Sequence, residues 1–506
     1  MSKQDQKELR QQIVCEWLEE NYLNYGSLRH DIVTDRLQIK AYKPTPNPSL
    51  KGGEQSAAQK SFPLGEDLGE ASYWRNLTDK DINTMVCNCV EETQVNISVT
   101  EMWTALKSDR VPSVHPIREW LNTLPPYTPD QPDWIDFVAS QVKVKPSPES
   151  ATDRPKGLSE RTACCQTTTL LDCPYGADRP MNLTGEADLT VSEANGLASN
   201  SSLCERSKAD ALWRACFKKW FVAMVASWMK DEVVNHTVLV LVGRQGIFKT
   251  TWLDHLIPPE LRAYSSKLPL SGQISKDDRL RLCENAMLNI DELDAICGRE
   301  MNIVKSLLTS TDVNERAAYG RLKERRMRLA SFCASTNKRE FLTDITGNRR
   351  WLPFEVESIQ NPFHTIIPYE RLYAQAKALV EEGIFSYWFD MEEMEVLEAH
   401  NEEFRALENE EQLLPILFDI PAEGKGEFMT TAEISDKLVT YGGIKKPMNT
   451  RKLGMLLSKR GYTKRTMYIS GTMVRGWIVY QREADEIKLV KKRENVLTSL
   501  QPDNLF

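Results

Sequence analysis

The stretch Asn235-His-Thr-Val-Leu-Val-Leu-Val-Gly243-Arg-Gln245-Gly246-Ile-Phe-Lys249-Thr250-Thr251-Trp252-Leu253 is an apolar run that enters a glycine loop and leaves it through Lys-Thr. This spacing predicts a buried strand, a loop that cradles phosphate and the N-terminus of a helix. Backbone N–H groups around Gly243, Gln245 and Gly246 can wrap a polyphosphate, and the helix end with Thr250 and Thr251 adds positive potential. Lys249 can neutralise β and γ oxygens, and Thr250 can hold Mg²⁺. The expected ligand is a nucleoside triphosphate, ATP with Mg²⁺. Phe248 stands where the phosphate-loop pattern has glycine, a position that an aromatic side chain suits only if the backbone there is already helical. The competing reading is a buried strand followed by an ordinary glycine turn.

Three further segments favour the nucleotide reading. Asn285-Ala-Met-Leu-Asn-Ile-Asp291-Glu292-Leu293 is a second apolar strand ending in two carboxylates. Asp291 is placed to hold Mg²⁺ and Glu292 to polarise an attacking water. Leu329-Ala-Ser-Phe-Cys-Ala-Ser-Thr-Asn337 reads as a third strand, and ligands gather at the C-terminal ends of such parallel strands, so Asn337 is expected to sense the γ-phosphate. Asp344-Ile-Thr-Gly347-Asn-Arg349-Arg350-Trp351 presents two arginines suited to stabilising a transferring phosphoryl group, within one chain or from a neighbour. A solvated pair of arginines at a turn is the plainer alternative.

Taken together, Gly243–Thr251, Asp291–Glu292, Asn337 and the Thr-Gly-Asn-Arg-Arg run ending at Arg350 resemble the ATPase core of the virulence-associated protein E family. The likeness extends upstream into Val114-His115-Pro116-Ile-Arg-Glu-Trp120-Leu121. The resemblance implies a fold related to superfamily 3 helicases and the AAA+ class, and ATP hydrolysis by a ring-forming DNA helicase, often beside a primase. It also implies that the region between the second and third strands carries residues that track single-stranded DNA. Lys305, Arg316, Tyr319 and Arg321 fit that role, because cations interleaved with an aromatic ring can combine backbone contact with base stacking. A solvated basic helix is the alternative for each of them.

The chain has 506 residues and a net charge of −8, which argues against wholesale coating of nucleic acid. Charge is unevenly spread: residues 390–427 are crowded with glutamate, whereas 444–482 contain no acid and many lysines and arginines. No apolar run is long enough to span a bilayer and the N-terminus has no apolar signal region, so the expected compartment is the cytoplasm, with no membrane partner. The 11 cysteines suit a reducing compartment. Neither Cys87-Asn-Cys89 nor the group Cys164, Cys165 and Cys173 has the second ligand pair that a zinc site requires.

The expected fold class is α/β, with a P-loop, AAA+-like parallel sheet, a helical N-terminal region and a C-terminal winged-helix-like domain. The expected boundaries are a small N-terminal segment over 1–65, a helical domain over 66–145, a disordered linker or insertion over 146–207 and the ATPase core over 208–385. An acidic helical connector over 386–428, the winged-helix-like domain over 429–482 and a tail over 483–506 complete the chain. In the C-terminal domain, a helix from Met429 to Leu438, a second from Asn449 to Gly461 and a hairpin turning at Ser470-Gly471 are predicted. Arg451, Lys452, Lys459 and Arg460 on the second helix are its candidate nucleic-acid contacts. A protein-docking module is the alternative for that domain.

These readings point to an ATP-dependent DNA helicase or translocase acting in mobile-element replication. It would work as a homo-oligomeric ring, such as a hexamer, on single-stranded or forked DNA, with a primase or another replication protein as a possible partner. The alternative is a nucleotide-gated DNA-binding regulator or defence component whose hydrolysis is slowed by Phe248. A primase activity would need a separate acidic metal site, and the sequence has no convincing carboxylate cluster for one.

Overall fold

Strands buried on both faces and helices with one apolar stripe build most of the computed structural model, which describes residues 3–42, 72–146, 196–268, 275–291, 293, 298–315, 323–342, 348–421, 426–445, 447–469, 471–483 and 485–488. The chain divides into two units, Met1–Asn337 with Trp351–Glu393, and Lys338–Arg350 with Met394–Phe506. Most of the expected linker, 147–195, lies outside the described residues.

The first unit begins with α1 (Lys3–Leu18), β1 (Leu28–Asp31), β2 (Arg36–Tyr42), β3 (Ser72–Asn76), α2 (Asp79–Thr93), α3 (Val99–Leu106) and β4 (Ser113–Val114). The strands form a sheet in the order β3-β2-β1-β4. One apolar cluster runs from Val14, Trp17 and Leu18 through Met85 and Met102 to Val111. The expected division at 65/66 into a small segment and a helical domain is therefore replaced by a single mixed α/β layer. Its strands were hidden because their buried positions include polar groups. Asp31 is fully buried and accepts hydrogen bonds from the Thr34 and Tyr264 hydroxyls at 2.6 and 2.9 Å, while Arg29 donates to Gln38 at 2.9 Å. Cys87 is exposed and Cys89 buried, since neighbours two apart on helix α2 face different ways.

Residues beyond His115 belong instead to the central sheet, through α4 (Pro116–Asn122), α5 (Trp134–Ala139) and β5 (Val142–Val144). His115 caps α4, its Nδ1 accepting the Arg118 N–H at 3.3 Å. Burial, reinforced by the Arg118 charge, lowers its pKa to about 4, which keeps the ring neutral and able to accept. His115 thus serves as a turn residue that caps the helix.

The sheet then acquires α6 (Gly196–Met229), β6 (Val238–Val242), α7 (Lys249–His255), β7 (Ser265–Lys267), α8 (Lys276–Glu284), β8 (Met287–Ile290), α9 (Gly298–Thr309), β9 (Asp312–Glu315), β10 (Glu324–Met327), β11 (Ser331–Thr336), β12 (Trp351–Ile359) and α10 (Tyr369–Glu382). Its strand order is β5-β12-β6-β11-β8-β7, and only β5 runs antiparallel to its neighbour. Every residue of β6, β8 and β11 is buried, as parallel strands covered on both faces must be. Helix α6 covers this sheet with Trp213, Phe217, Trp220, Phe221, Met224 and Trp228, all fully buried. The indole N–H groups are satisfied on carbonyls: Trp213 on Ala139, Trp220 on Phe332 and Trp228 on Ala286, at 2.9 to 3.1 Å. Strands β9 and β10 form a separate antiparallel ribbon.

The second unit comprises a 3-10 turn, Asn348–Arg350, then α12 (Asn409–Leu417), β13 (Phe418–Asp419), β14 (Glu427–Met429), α13 (Thr431–Gly442), α14 (Thr450–Lys459), β15 (Thr463–Ile469) and β16 (Thr472–Gln481), with α11 (Met391–Asn401) leading into it. The two helices and the hairpin stand where the sequence placed them. Thr430 and Glu433 cap α13 reciprocally, each side chain bonding the other's backbone N–H. One core joins Leu414, Leu417 and Phe418 to Ile434, Leu453, Leu457 and Trp477, so the later part of the expected acidic connector forms one body with the helical segment. Strand β14 crosses β16 at Gly476, where a Cβ would come within 2.5 Å of the Met429 carbonyl. The 338–350 segment also leaves the expected 208–385 core for this unit: Leu342 bridges Arg405, and Asn401 donates to the Asn348 carbonyl at 2.8 Å.

Candidate nucleotide-binding site

Parallel pairing of β6 with β11 and of β11 with β8 brings three strand ends together, with Thr336 opposite Val242 and Ala334 opposite Ile290. Gly243, Asn337 and Asp291, each just past its strand, thus gather at one edge of the sheet. A cavity of about 340 Å³ lies there, lined by Gln245, Gly246, Phe248, Lys249, Thr250, Thr251, Asp291, Ser335, Thr336 and Asn337. Its size is within the range of small-ligand sites. Gly243 supports the loop from behind, because a Cβ on it would press to 3.0 Å from the Val356 carbonyl of β12.

Lys249 is buried, and its ammonium donates to the carbonyls of Gly243 and Arg244 at 2.8 and 2.6 Å and to Asn337 Oδ1 at 3.0 Å. The loop therefore curls around the cation, and Asn337 is tied to the same point. Beside it, Thr250 Oγ1 donates to Asp291 Oδ1 at 3.0 Å, Ser335 Oγ donates to the same oxygen at 3.0 Å, and the two hydroxyls are 2.9 Å apart. Lys267 reaches Asp291 Oδ2 at 2.6 Å. Burial pushes the Asp291 pKa up, but the hydrogen bonds from Lys267, Ser335 and Thr250 outweigh it and hold the carboxylate below its ordinary range. This cluster of ionised and hydroxyl oxygens has the donor chemistry of a hard divalent cation such as Mg²⁺.

Ser335 and Lys267 went unread in the sequence. Ser335 has a local signal, as a small polar residue near the end of an apolar strand. Lys267 has none, since it reaches Asp291 only through the pairing of β7 with β8.

Phe248 departs from expectation. The sequence allowed an aromatic residue there if its backbone were helical, yet its φ is +67°, in the left-handed region. The loop thus keeps the backbone that glycine would give it, and strain of about 1–2 kcal/mol is retained in its place. The ring packs edge-on to Phe363 with centroids 6.5 Å apart. Phe248→Gly should release that strain while losing an aromatic contact of similar worth, about 0.5–1.5 kcal/mol, so the melting temperature should move little. Phe248→Val places a β-branched residue at positive φ and should lower it clearly. Thermal unfolding of the two variants, compared with the parent, reads this directly; a valine variant as stable as the glycine one would contradict it.

Glu292, Arg316, Tyr319 and Arg321 lie outside the described residues, the last three in the stretch connecting β9 to β10. Lys305 is half-buried on α9. Arg349 and Arg350 fall in the second unit, in the turn just before Trp351. On α14, Arg451 is exposed, Lys452 pairs with Glu408, Lys459 pairs with Glu402 and Arg460 donates to the Glu411 carbonyl at 3.2 Å. Much of the positive charge counted on that helix is thus balanced by the acidic segment before it. Among the described residues no cluster of three or more His, Cys, Asp or Glu could hold a metal, and no helix is long and apolar enough to cross a membrane.

Residues 194–406 match the family model of the virulence-associated protein E-like domain. No curated protein matches the chain. Among solved structures, an A-form apo structure of the NrS-1 C-terminal region is similar at 12% identity and a TM-score of 0.34, over 92% of this chain and 99% of that one. A second apo structure of the same region is similar at 10% identity and a TM-score of 0.35, over 90% and 97%.

Proposed function

We infer, from a chain that belongs through its residues 194–406 to the virulence-associated protein E-like family, that it is an ATP-hydrolysing motor that translocates on or unwinds DNA during replication of a mobile element, in the cytoplasm. The observation that carries this reading is the meeting of two arrangements at one sheet edge: Lys249 held by its own loop, and Thr250, Ser335 and Asp291 within 3.0 Å of one another. A loop of backbone amides beside a lysine is suited to β and γ phosphates, and the adjoining oxygens to the accompanying Mg²⁺.

In this reading Gly243, Gln245, Gly246 and Thr251 line the phosphate path, and Thr250 and Asp291 hold the ion, which when bound neutralises β and γ oxygens. The lowered pKa of Asp291 keeps that carboxylate ionised at neutral pH and below. Asn337, hydrogen-bonded to the Lys249 ammonium, would register the γ-phosphate, and Glu292 would orient the attacking water. Arg349 or Arg350 would reach a neighbouring subunit's nucleotide in a ring such as a hexamer. The C-terminal pair of helices with its hairpin is read as a winged-helix-like DNA-binding module. Lys452 and Lys459 could exchange their carboxylates for phosphates at low cost, because partly exposed ion pairs contribute only about 0–1 kcal/mol. Lys305 and the Arg316–Arg321 stretch would contact the strand being moved, and a primase would be a natural partner.

Strand displacement on forked DNA with ATP and Mg²⁺ tests the proposal: unwinding, with hydrolysis stimulated by DNA, is the expected result. ATP-dependent duplex binding without unwinding would instead favour a nucleotide-gated regulator or defence component, the reading to which the strained Phe248 lends support. Failure to bind ATP at all would overturn both.

A further inference from the structure

The second unit holds more positive charge than its own acids cancel, and the surplus is not where the sequence suggested. Lys452, Lys459 and Arg482 pair with Glu408, Glu402 and Asp419. Lys464, Arg465 and Arg475, all on the β15–β16 hairpin, are exposed and make no ion pair among the described residues. The register sets Tyr468 opposite Met473, Thr466 opposite Arg475 and Lys464 opposite Trp477. Cross-strand partners share a face, and residues two apart along a strand return to it. One face of the arm therefore runs from the buried Trp477 past Arg475 to Tyr468 and Met473, whose exposures are 75% and 72%.

An arm of two strands that ends in a bare aromatic ring and a bare thioether needs an occupant for that apolar surface. Two side chains cannot supply the roughly 1,200 Å² that a specific protein interface buries. They do match the face of a single base, and the cations behind them match its phosphates. We propose that this hairpin is a base-stacking pin: Tyr468 and Met473 pack on an unpaired or terminal base of DNA, while Lys464 and Arg475, on the same face, hold the flanking backbone. The proposal rests on the DNA-binding reading above and assigns its main contact to the hairpin instead of to helix α14.

The test uses the full chain and forked DNA carrying 2-aminopurine at the junction, without nucleotide. The parent protein should change the probe's fluorescence. The double variant Tyr468→Ala, Met473→Ala should lose that change and bind the fork at least about fivefold more weakly, with the salt dependence unchanged. Tyr468→Phe, which keeps the ring, should behave as the parent. Lys464→Gln with Arg475→Gln should flatten the log–log salt dependence by about one for each phosphate contact removed. Parental fork affinity and fluorescence in the double alanine variant would overturn the pin while leaving DNA binding intact, and so would a Phe variant as weak as Ala. Loss of self-association or of binding to anionic vesicles with DNA affinity unchanged would reassign the tip and also overturn it. A parent protein that binds no DNA would remove the underlying reading itself.

Discussion

Lys249→Ala is expected to reduce ATP turnover on the order of 100- to 1,000-fold, the scale set by removing one preorganised charge-stabilising donor from an active site. The ammonium lies 2.8, 2.6 and 3.0 Å from the Gly243 carbonyl, the Arg244 carbonyl and Asn337 Oδ1. It thus orders the loop and also supplies positive charge where β and γ oxygens would lie. Removing it takes away the charge that grows in importance as the transferring phosphoryl group becomes more anionic, so turnover should fall more than nucleotide affinity. Lys249→Met, which keeps most of the stem, should fail equally. Phosphate release measured with and without DNA, alongside circular dichroism to establish folding, makes the comparison. Parental turnover in either variant would exclude the proposed site.

Arg328→Ala is expected to destabilise the first unit by about 3–5 kcal/mol, because several buried carbonyls lose their donor at about 1–3 kcal/mol each. This arginine lay within the basic stretch that sequence reading assigned to nucleic-acid contact, yet it is only 2% exposed. Its guanidinium donates to the carbonyls of Ala330 at 3.0 Å, Leu308 at 2.8 Å and Asn235 at 2.8 Å, and it lies 4.9 Å from the centre of the Phe332 ring. It therefore joins the last turn of α9, the residue before β11 and the entry to β6, and it satisfies carbonyls that would otherwise be buried without a donor. Lysine has three donors on a point charge in place of a five-donor planar fork, so Arg328→Lys should rescue only part of the loss. Calorimetry should show the unfolding transition of the alanine variant lowered on the order of 10 °C. An unchanged transition would mean that these carbonyls find water or other donors.

Much of the candidate site was legible because its signals are contiguous. An all-apolar pentamer before Gly243, a lysine opening a helix and an acid ending the next strand depend on backbone periodicity and on residues a few positions apart. β12 was less readable because Pro353 interrupts it, and proline is unfavourable in a central strand. The fold accommodates it because β5 pairs with β12 only from Val356 onward.

The sequence by itself determined the glycine loop between β6 and α7, the carboxylate at Asp291, the polar end of β11 at Asn337 and the C-terminal order of helix, helix and hairpin. Tertiary structure alone decided that Ser335 and Lys267 join Asp291, that Phe248 adopts a left-handed backbone, that Arg328 is an internal tie and that the acidic segment pairs with Lys452 and Lys459 of α14 while leaving the hairpin cations exposed. The division has one physical cause. Local periodicity and capping are encoded between near neighbours, whereas strand order, register and charge pairing depend on which distant segments exclude water from one another.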